Sequence, residues 1–249
     1  MQQLFEKFFP DSSIILELTV PIILLAIIAA SLSGWMKVKL KIRTPYTRKT
    51  FHFIIFSAAG LLQYYFGLHA VSLLGAIVFV LVLVAVVAGK RLWFFTALAR
   101  ETDQPHEKKF ILFPLVATAM GGILSNIFFP ATAYIGYFVG GWGDAVGEPV
   151  GTKWGKHRYT VPTLFGVRAT RSIEGSFAVM LVSSFIAFIC LSSFSSTFGF
   201  TSVLIGSIVC GVAAAGVEAI SSHGLDNLTI QLCASGVLQL FVQWQQHKF

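Results

Sequence analysis

The run HAVSLLGAIVFVLVLVAVVA, residues 69–88, contains no Asp, Glu, Lys or Arg and indicates the class of fold. An apolar segment of about 20 residues is long enough to cross the hydrocarbon core of a bilayer as a helix. The rest of the chain has the same character, since 55% of its 249 residues are hydrophobic and only 12% are charged. Soluble domains carry roughly 25% charged residues. The sequence therefore predicts an integral membrane protein.

Further apolar segments on both sides of this run predict an all-α, polytopic bundle of about eight transmembrane helices. Helices are expected because each satisfies its own backbone hydrogen bonds in lipid, and the segments lack the alternation of a β-barrel. Residues 1–12 are predicted to be an amphipathic or disordered lead-in, and residues 13–249 a single transmembrane catalytic domain. The predicted spans are residues 13–35, 50–66, 69–88, 110–129, 131–147, 173–195, 200–220 and 225–243.

The basic residues lie almost entirely in three loops, which follow the first, third and fifth predicted spans. Of the 18 Lys and Arg residues, only Lys7 and Lys248 fall on the opposite side of an eight-span bundle. Loops rich in Lys and Arg face the cytoplasm, so both termini are predicted outside and the basic loops inside. This placement accounts for the net charge of +7 without a nucleic-acid partner.

The segment GGWGDAVGEPVGTKWGKHR, residues 140–158, leads from the fifth predicted span into a glycine-rich basic loop. Asp144 and Glu148 stand where this span is expected to leave the bilayer, and carboxylates there are costly without a partner or a function. Carboxylates for a divalent cation, glycines for close backbone approach and clustered cations together suit a metal-chelated polyphosphate. We therefore expect a nucleotide site in this segment.

Five acidic residues fall at one predicted depth, near the cytoplasmic ends of the last four spans. Such a group would repel strongly unless cations compensated it, so the pattern indicates Mg²⁺ or nearby Lys and Arg side chains. For each residue alone, a helix cap or an ordinary salt bridge is an alternative. The five residues are Asp144, Glu148, Glu174, Glu218 and Asp226.

A cationic cluster, RKTFH at residues 48–52, lies where the second predicted span enters the membrane. Arg48 and His52 are four residues apart and share a helix face, with Lys49 adjacent. The start of a helix favours anions over cations, so the cluster predicts a bound phosphate. The alternative is that these are ordinary basic residues flanking a span.

Two further blocks are expected to contribute to the same site. In the block at residues 168–176, Ser172 is placed to cap the sixth predicted span. Glu218 precedes the pair Asp226-Asn227. An acid and an amide side by side can coordinate a metal or hydrogen-bond a ribose or base, although Asp226 could equally cap the eighth span.

In this order the blocks resemble the polyprenol kinase family, which includes dolichol kinase, phytol kinase and CTP-dependent diacylglycerol kinase. The resemblance runs from about residue 45 to the end of the eighth span. One departure is Arg171, where many members have Lys; the charge is kept but the geometry changes. The matching blocks are residues 48–52, 143–156 and 171–176, and Glu218 followed by residues 226–228.

The resemblance implies transfer of the γ-phosphoryl group of CTP, with a divalent metal, to the hydroxyl of a membrane isoprenoid or lipid alcohol. It implies that Arg48, Lys49, Asp144 and Gly151 are essential. The family is also similar to CDP-diacylglycerol synthases, so a cytidylyltransferase acting on a lipid phosphate is the main alternative. A CTP-dependent diacylglycerol kinase and an anion transporter are the others.

Phosphoryl transfer requires alignment and charge neutralisation more than covalent catalysis, and the roles are assigned on that basis. The predicted catalytic residues are Asp144, Arg48, Lys49 and Glu148. The predicted metal ligands, for Mg²⁺, are Asp144, Asp226, Glu218 and Glu174. The predicted nucleotide-binding residues are Gly151, Lys153, Gly155, Lys156, Arg158, Arg171, His52 and Asn227.

Overall fold

The computed structural model describes residues 6–163, 169–193, 198–222 and 224–247. Each of the eight predicted spans is helical in these residues, so the expected all-α membrane bundle is confirmed. The helices are α1 (Ser12–Val38), α2 (Thr44–Phe66), α3 (Leu68–Ala88), α4 (Trp93–Leu98), α5 (Glu107–Phe128), α6 (Ala133–Trp154), α7 (Ile173–Ser192), α8 (Phe200–Ile220) and α9 (Asp226–Gln246).

Among the described residues, five helices are long and apolar enough to cross a membrane by length and composition, namely α1, α3, α5, α7 and α8. They expose large apolar side chains such as Leu16, Val87 and Ile220, which lipid would cover. The other long helices, α2, α6 and α9, carry most of the charged residues singled out from the sequence, which lowers their hydropathy. The chain is therefore a multi-pass membrane protein.

The chain divides into two compact units, Met1–Leu115 and Val116–Phe249. In the first unit, α1 packs against α2, α3 and α4. Asp11 caps α1 by accepting a hydrogen bond of 2.9 Å from the N–H of Ile14. Gly67, with φ of 79°, makes the turn from α2 into α3. This left-handed backbone favours glycine, which explains how the two helices follow each other directly.

Polar contacts fix the start of α2 within the first unit. The Thr47 hydroxyl donates to the carbonyl oxygen of Ala97 at 2.8 Å, which ties α2 to α4. The Lys37 ammonium donates to the Thr44 hydroxyl at 2.8 Å, which ties α2 to the end of α1. The first turns of α2 are thus held on two sides.

In the second unit, α6 packs on α7 and α9, and α8 packs on the same two helices. Small residues let these helices approach closely, as is common in membrane bundles. A Cβ atom at Gly136 of α6 would lie 2.8 Å from the carbonyl oxygen of Gln231 in α9. The apolar centre of this unit includes Ile135, Val139, Ala187, Cys210, Ile230 and Leu238, all fully buried or nearly so.

Helix α6 ends later than the sequence predicts. The fifth span was expected to end at residue 147, yet the helix continues to Trp154 with Pro149 inside it. Glycine, proline and charge made this stretch look like a loop, but its glycines allow it to pack along α7. A Cβ atom at Gly147 would lie 2.7 Å from Cγ2 of Val179.

A short antiparallel hairpin follows α6 and was not predicted. Strand β1 (Arg158–Val161) pairs with β2 (Ala169–Ser172), with Arg158 opposite Ser172 and Tyr159 opposite Arg171. Residues 164–168 between the strands, including Arg168, lie outside the described residues. The hairpin leads directly into α7.

The contact between α7 and α8 gives a stability prediction. A Cβ atom at Gly211 of α8 would press on Ser184 and lie 2.6 Å from the carbonyl oxygen of Met180, both in α7. Overpacking of this kind costs about 1–3 kcal/mol. Gly211→Ala should therefore lower the melting temperature of the detergent-purified protein.

The matched control is Gly216→Ala in the same helix, where a Cβ atom would meet nothing within 4 Å. This variant should melt like the wild type. Equal melting temperatures for the two variants would contradict the packing of α7 on α8 described above.

Candidate functional site

The guanidinium of Arg171 lies between two carboxylates from different helices. Its Nε is 2.8 Å from Oε1 of Glu218, near the end of α8, and its Nη2 is 3.1 Å from Oδ2 of Asp226, at the start of α9. The three side chains are only 12%, 9% and 14% exposed. Charge-assisted hydrogen bonds of this kind are among the strongest in proteins. Arg171 therefore joins the hairpin to both helix ends.

A third carboxylate belongs to the same region. Asp144 of α6 is 4% exposed, and its charge acts on Glu218, as does that of Asp226. The structure thus brings together three of the four predicted metal ligands and one predicted phosphate-binding residue. Of the five acids expected to converge, these three lie in one region, while Glu174 pairs with His157.

The donor set fits a magnesium ion chemically, because carboxylate oxygens are the ligands that Mg²⁺ prefers. Arg171, however, already contacts two of these carboxylates. In the part of the chain that the structure describes, no group of three or more His, Cys, Asp and Glu side chains is arranged to hold a metal ion. The metal site stays a prediction.

The second oxygen of Glu218 is bound by a hydroxyl from α7. Ser176 donates to Oε2 of Glu218 at 3.0 Å, and the Tyr159 hydroxyl lies 2.7 Å from Oγ of Ser176. Burial raises the pKa of the Tyr159 phenol above its ordinary value, and the charge of Glu218 acts in the same direction. The phenol is therefore protonated at neutral pH.

Tyr159 was missed from the sequence. It stands in a stretch that looked like a loop, and its contact depends on the hairpin register, which no local pattern indicates. Ser176 belonged to a quoted block but was given no role. The hairpin is the structural feature that makes both hydroxyls part of the site.

At the start of α9, the pair Asp226-Asn227 is held by neighbouring groups. Asp226 is the first residue of the helix and Leu225 is its N-cap, without a side-chain cap. Oδ2 of Asp226 pairs with Arg171, while Oδ1 accepts the backbone N–H of Asn227 at 3.1 Å, so the carboxylate makes the ion pair and also contacts the first turn of α9. The amide of Asn227 donates to the Thr118 hydroxyl of α5 at 2.8 Å. This contact anchors α9 to α5, and a nucleotide-binding role for Asn227 stays a prediction.

Glu174 contacts a different partner from the other predicted ligands. Its carboxylate lies 2.8 Å from Nδ1 of His157 and accepts the backbone N–H of the same residue at 3.2 Å. The first turn of α7 thereby holds the segment between α6 and β1. Ser172 caps α7 by accepting from the N–H of Gly175 at 3.0 Å, as predicted. Glu174 as a metal ligand stays a prediction.

The two predicted phosphate-contacting glycines also have a packing reason. A Cβ atom would lie 2.9 Å from Oγ of Ser172 at Gly151 and 2.7 Å from the same atom at Gly155. Their lack of a side chain lets the end of α6 pass close to the cap of α7. Gly151 lies inside a helix rather than in the expected loop. Its contact with a nucleotide stays a prediction.

The predicted basic residues after Glu148 are solvent-exposed at the end of α6 and the start of β1. The Lys153 ammonium lies 4.5 Å from the centre of the Trp154 ring. Nε of Arg158 donates to the carbonyl oxygen of Gly155 at 3.4 Å. Lys156 is exposed between them, while Glu148 is half-buried on α6, one turn after Asp144. These cations form an exposed basic edge.

The cationic cluster of the first unit lies deeper in its helix than predicted. The second span was expected to begin at residue 50, but α2 begins at Thr44, so Arg48 and Lys49 lie beyond its first turn. The favourable field for anions falls off within that turn. Lys49 is 6% exposed, Arg48 is half-buried, and His52 stacks on Phe56 at 4.1 Å.

The ion pairs of Arg171 give a prediction for stability. Arg171→Ala leaves two buried carboxylates without their cation, and removal of one partner from a buried pair costs about 3–5 kcal/mol. The variant should show a markedly lower melting temperature in detergent. Arg171→Lys should be intermediate, because the charge remains but the two-pronged geometry is lost.

Arg158→Ala is the matched control for that measurement, because its side chain is exposed on the same hairpin. Its free energy of unfolding should lie within about 0.5 kcal/mol of the wild-type value. If Arg171→Ala were equally harmless, the ion pairs would contribute nothing measurable to the fold.

Comparison with known proteins adds one relative. A stretch of 120 residues is 39% identical to a phytol kinase from Synechocystis sp., and it covers 47% of this chain and 47% of that protein. The match thus spans about half the length of this curated relative. No family model matches the chain, and no solved structure matches it. The match to phytol kinase confirms the resemblance to the polyprenol kinase family that the motifs predicted.

Proposed function

We propose that this chain is a CTP-dependent lipid alcohol kinase. It would transfer the γ-phosphoryl group to a membrane isoprenoid alcohol of the phytol, polyprenol or dolichol type, at the cytoplasmic boundary of the membrane. The observation that carries the proposal is the 39% identity to phytol kinase over 120 residues. The choice of CTP rests on the resemblance of the motif blocks to polyprenol kinases.

The buried charge cluster supports a phosphotransferase with an alcohol acceptor. Phosphoryl transfer is catalysed mainly by positioning and by stabilising negative charge. Asp144, Glu218 and Asp226 would hold Mg²⁺, which would neutralise the phosphates when bound. Arg171 would fix the carboxylates and would add positive charge beside the same phosphates. The exposed cations from Lys153 to Arg158 would meet the nucleotide from the aqueous side.

The outer face of α7 supports an acceptor that lies in the membrane. Ile173, Phe177, Leu181 and Phe185 are all more than half exposed and recur every four residues, so they form one apolar stripe along the helix. The same helix carries Glu174 and Ser176 in its first turn. Hydrocarbon beside α7 would therefore bring the hydroxyl of a long-chain alcohol to the level of the carboxylates.

The assay that tests the proposal uses the purified full chain, γ-labelled CTP, Mg²⁺ and a panel of lipid alcohols. The panel comprises phytol, farnesol, geranylgeraniol, a polyprenol, dolichol and diacylglycerol. We expect label in an isoprenoid monophosphate and release of CDP. Release of pyrophosphate with a lipid phosphate as substrate would instead show a cytidylyltransferase, and labelled diacylglycerol alone would show a diacylglycerol kinase.

Asp144→Asn should abolish this transfer while the protein remains inserted and monodisperse. The amide is nearly isosteric but lacks the charge that a hard cation requires. Glu101→Gln is the control, because Glu101 is an exposed acid in the first unit, and it should be nearly neutral. Near-normal turnover in Asp144→Asn would exclude Asp144 as a metal ligand.

The cationic cluster of α2 gives a separate test. We propose that Arg48 and Lys49 stabilise the charge on the transferred phosphoryl group, so Arg48→Ala should lower turnover by about 10²-fold, as removal of one preorganised donor does. The buried Lys49 is better replaced by Met, which keeps its apolar stem. Turnover and CTP binding are measured together for each variant.

Arg43→Ala is the matched control for Arg48→Ala, because Arg43 is an exposed arginine five residues earlier, at the N-cap of α2. It should keep wild-type turnover. Equal losses in the two arginine variants would assign the cluster to membrane topology rather than to catalysis.

A further inference from the structure

We infer that Tyr159 and Ser176 are positioning residues, which together hold the Glu218 carboxylate in the single orientation that the proposed transfer requires. The inference rests on the proposed function. It adds to that function by assigning roles to the hydroxyls of Tyr159 and Ser176, to which the motif blocks gave no role. The evidence is a continuous set of hydrogen bonds that runs from the hairpin through α7 to the end of α8.

The direction of the hydrogen bonds follows from chemistry. A carboxylate only accepts, so the Ser176 hydroxyl donates its one proton to Oε2 of Glu218, at 3.0 Å. Oγ of Ser176 must then accept from the Tyr159 hydroxyl, at 2.7 Å. A proton on the phenol is therefore needed for the arrangement, and burial of Tyr159 favours it.

The behaviour of other serines in the second unit makes Ser176 distinctive. Ser192, Ser207 and Ser235 each donate to the carbonyl oxygen four residues earlier in their own helix, at 2.6–2.9 Å. This local bond is the usual way to satisfy a hydroxyl inside a helix. Ser176 instead donates across to another helix. Capping of α7 does not explain it either, since Ser172 is the cap.

The hairpin register explains how the two oxygens of Glu218 are controlled together. Tyr159 pairs directly with Arg171 across the hairpin, and side chains opposite one another lie on the same face of the sheet. Arg171 holds Oε1 of Glu218, while Tyr159 acts on Oε2 through Ser176. One cross-strand pair therefore fixes both ends of the carboxylate and prevents rotation about its terminal bond.

The experiment compares hydroxyl deletions with a conservative replacement in the full-length protein. Ser176→Ala should lower kcat on the order of 10-fold, the effect of losing one hydrogen bond to a charged group. KM for CTP and for the alcohol should change less than about twofold, because no direct substrate contact is removed. Ser176→Thr keeps the hydroxyl and should restore most of the lost kcat.

Tyr159→Phe should lower kcat by a smaller factor than Ser176→Ala. The double variant should be no slower than Ser176→Ala alone, because Tyr159 acts through Ser176 and effects within one network are not additive. Ser192→Ala in α7 and the exposed Tyr65→Phe are matched controls. Both controls should retain wild-type kcat.

The inference is overturned if Ser176→Ala keeps wild-type kcat, if Ser176→Thr fails to rescue it, or if the losses of kcat from the two single variants multiply in the double variant.

A wild-type protein that phosphorylates no alcohol would refute the proposed function. The hydrogen-bond network is then tested by melting temperature. The shift caused by Tyr159→Phe should be smaller in the Ser176→Ala background, and equal shifts would overturn the network itself.

Discussion

The structure of the second unit depends on the ion pairs between Arg171 and the carboxylates of Glu218 and Asp226. All three side chains are largely shielded from water, where separated charges are very unfavourable. The residue after Arg171 caps α7, so one short segment joins the hairpin, the start of α7, the end of α8 and the start of α9. Displacement of the hairpin, of α8 or of α9 would leave an unpaired charge.

Close backbone packing makes this arrangement possible. A Cβ atom at Gly175 would lie 2.7 Å from the carbonyl oxygen of Gly147, so the first turn of α7 lies directly against α6. Gly151 and Gly155 likewise leave room for Ser172. Because α6 also carries Asp144, these glycines bring the third carboxylate to the depth of the other two. The glycines of this motif therefore allow close helix packing, and they are also candidate phosphate contacts.

The sequence predicted the helices well and their ends less well. Long apolar runs identify spans because the bilayer imposes a length on them, whereas α6 continued through Pro149 because packing on α7 overrode local signals. The hairpin was missed since its strands are short and polar, and no local pattern indicates their pairing. Without the hairpin, nothing in the sequence points to Tyr159.

The sequence predicted that the acids need cations, but it did not decide which cation lies beside each of them. Five carboxylates near one depth require cations, and the sequence offers both a metal ion and nearby arginines as solutions. Arg171 was assigned to phosphate and Glu218 and Asp226 to a metal, yet in the structure these residues contact one another.

Charge pattern alone cannot distinguish an internal ion pair from a metal–phosphate site, because both use the same residue types. In the structure, Glu174 contacts His157, Asn227 contacts Thr118, and the charge of Asp144 in α6 acts on Glu218. A cation bound to Glu218 and Asp226 would share both carboxylates with Arg171, so its binding would depend on the position of the hairpin.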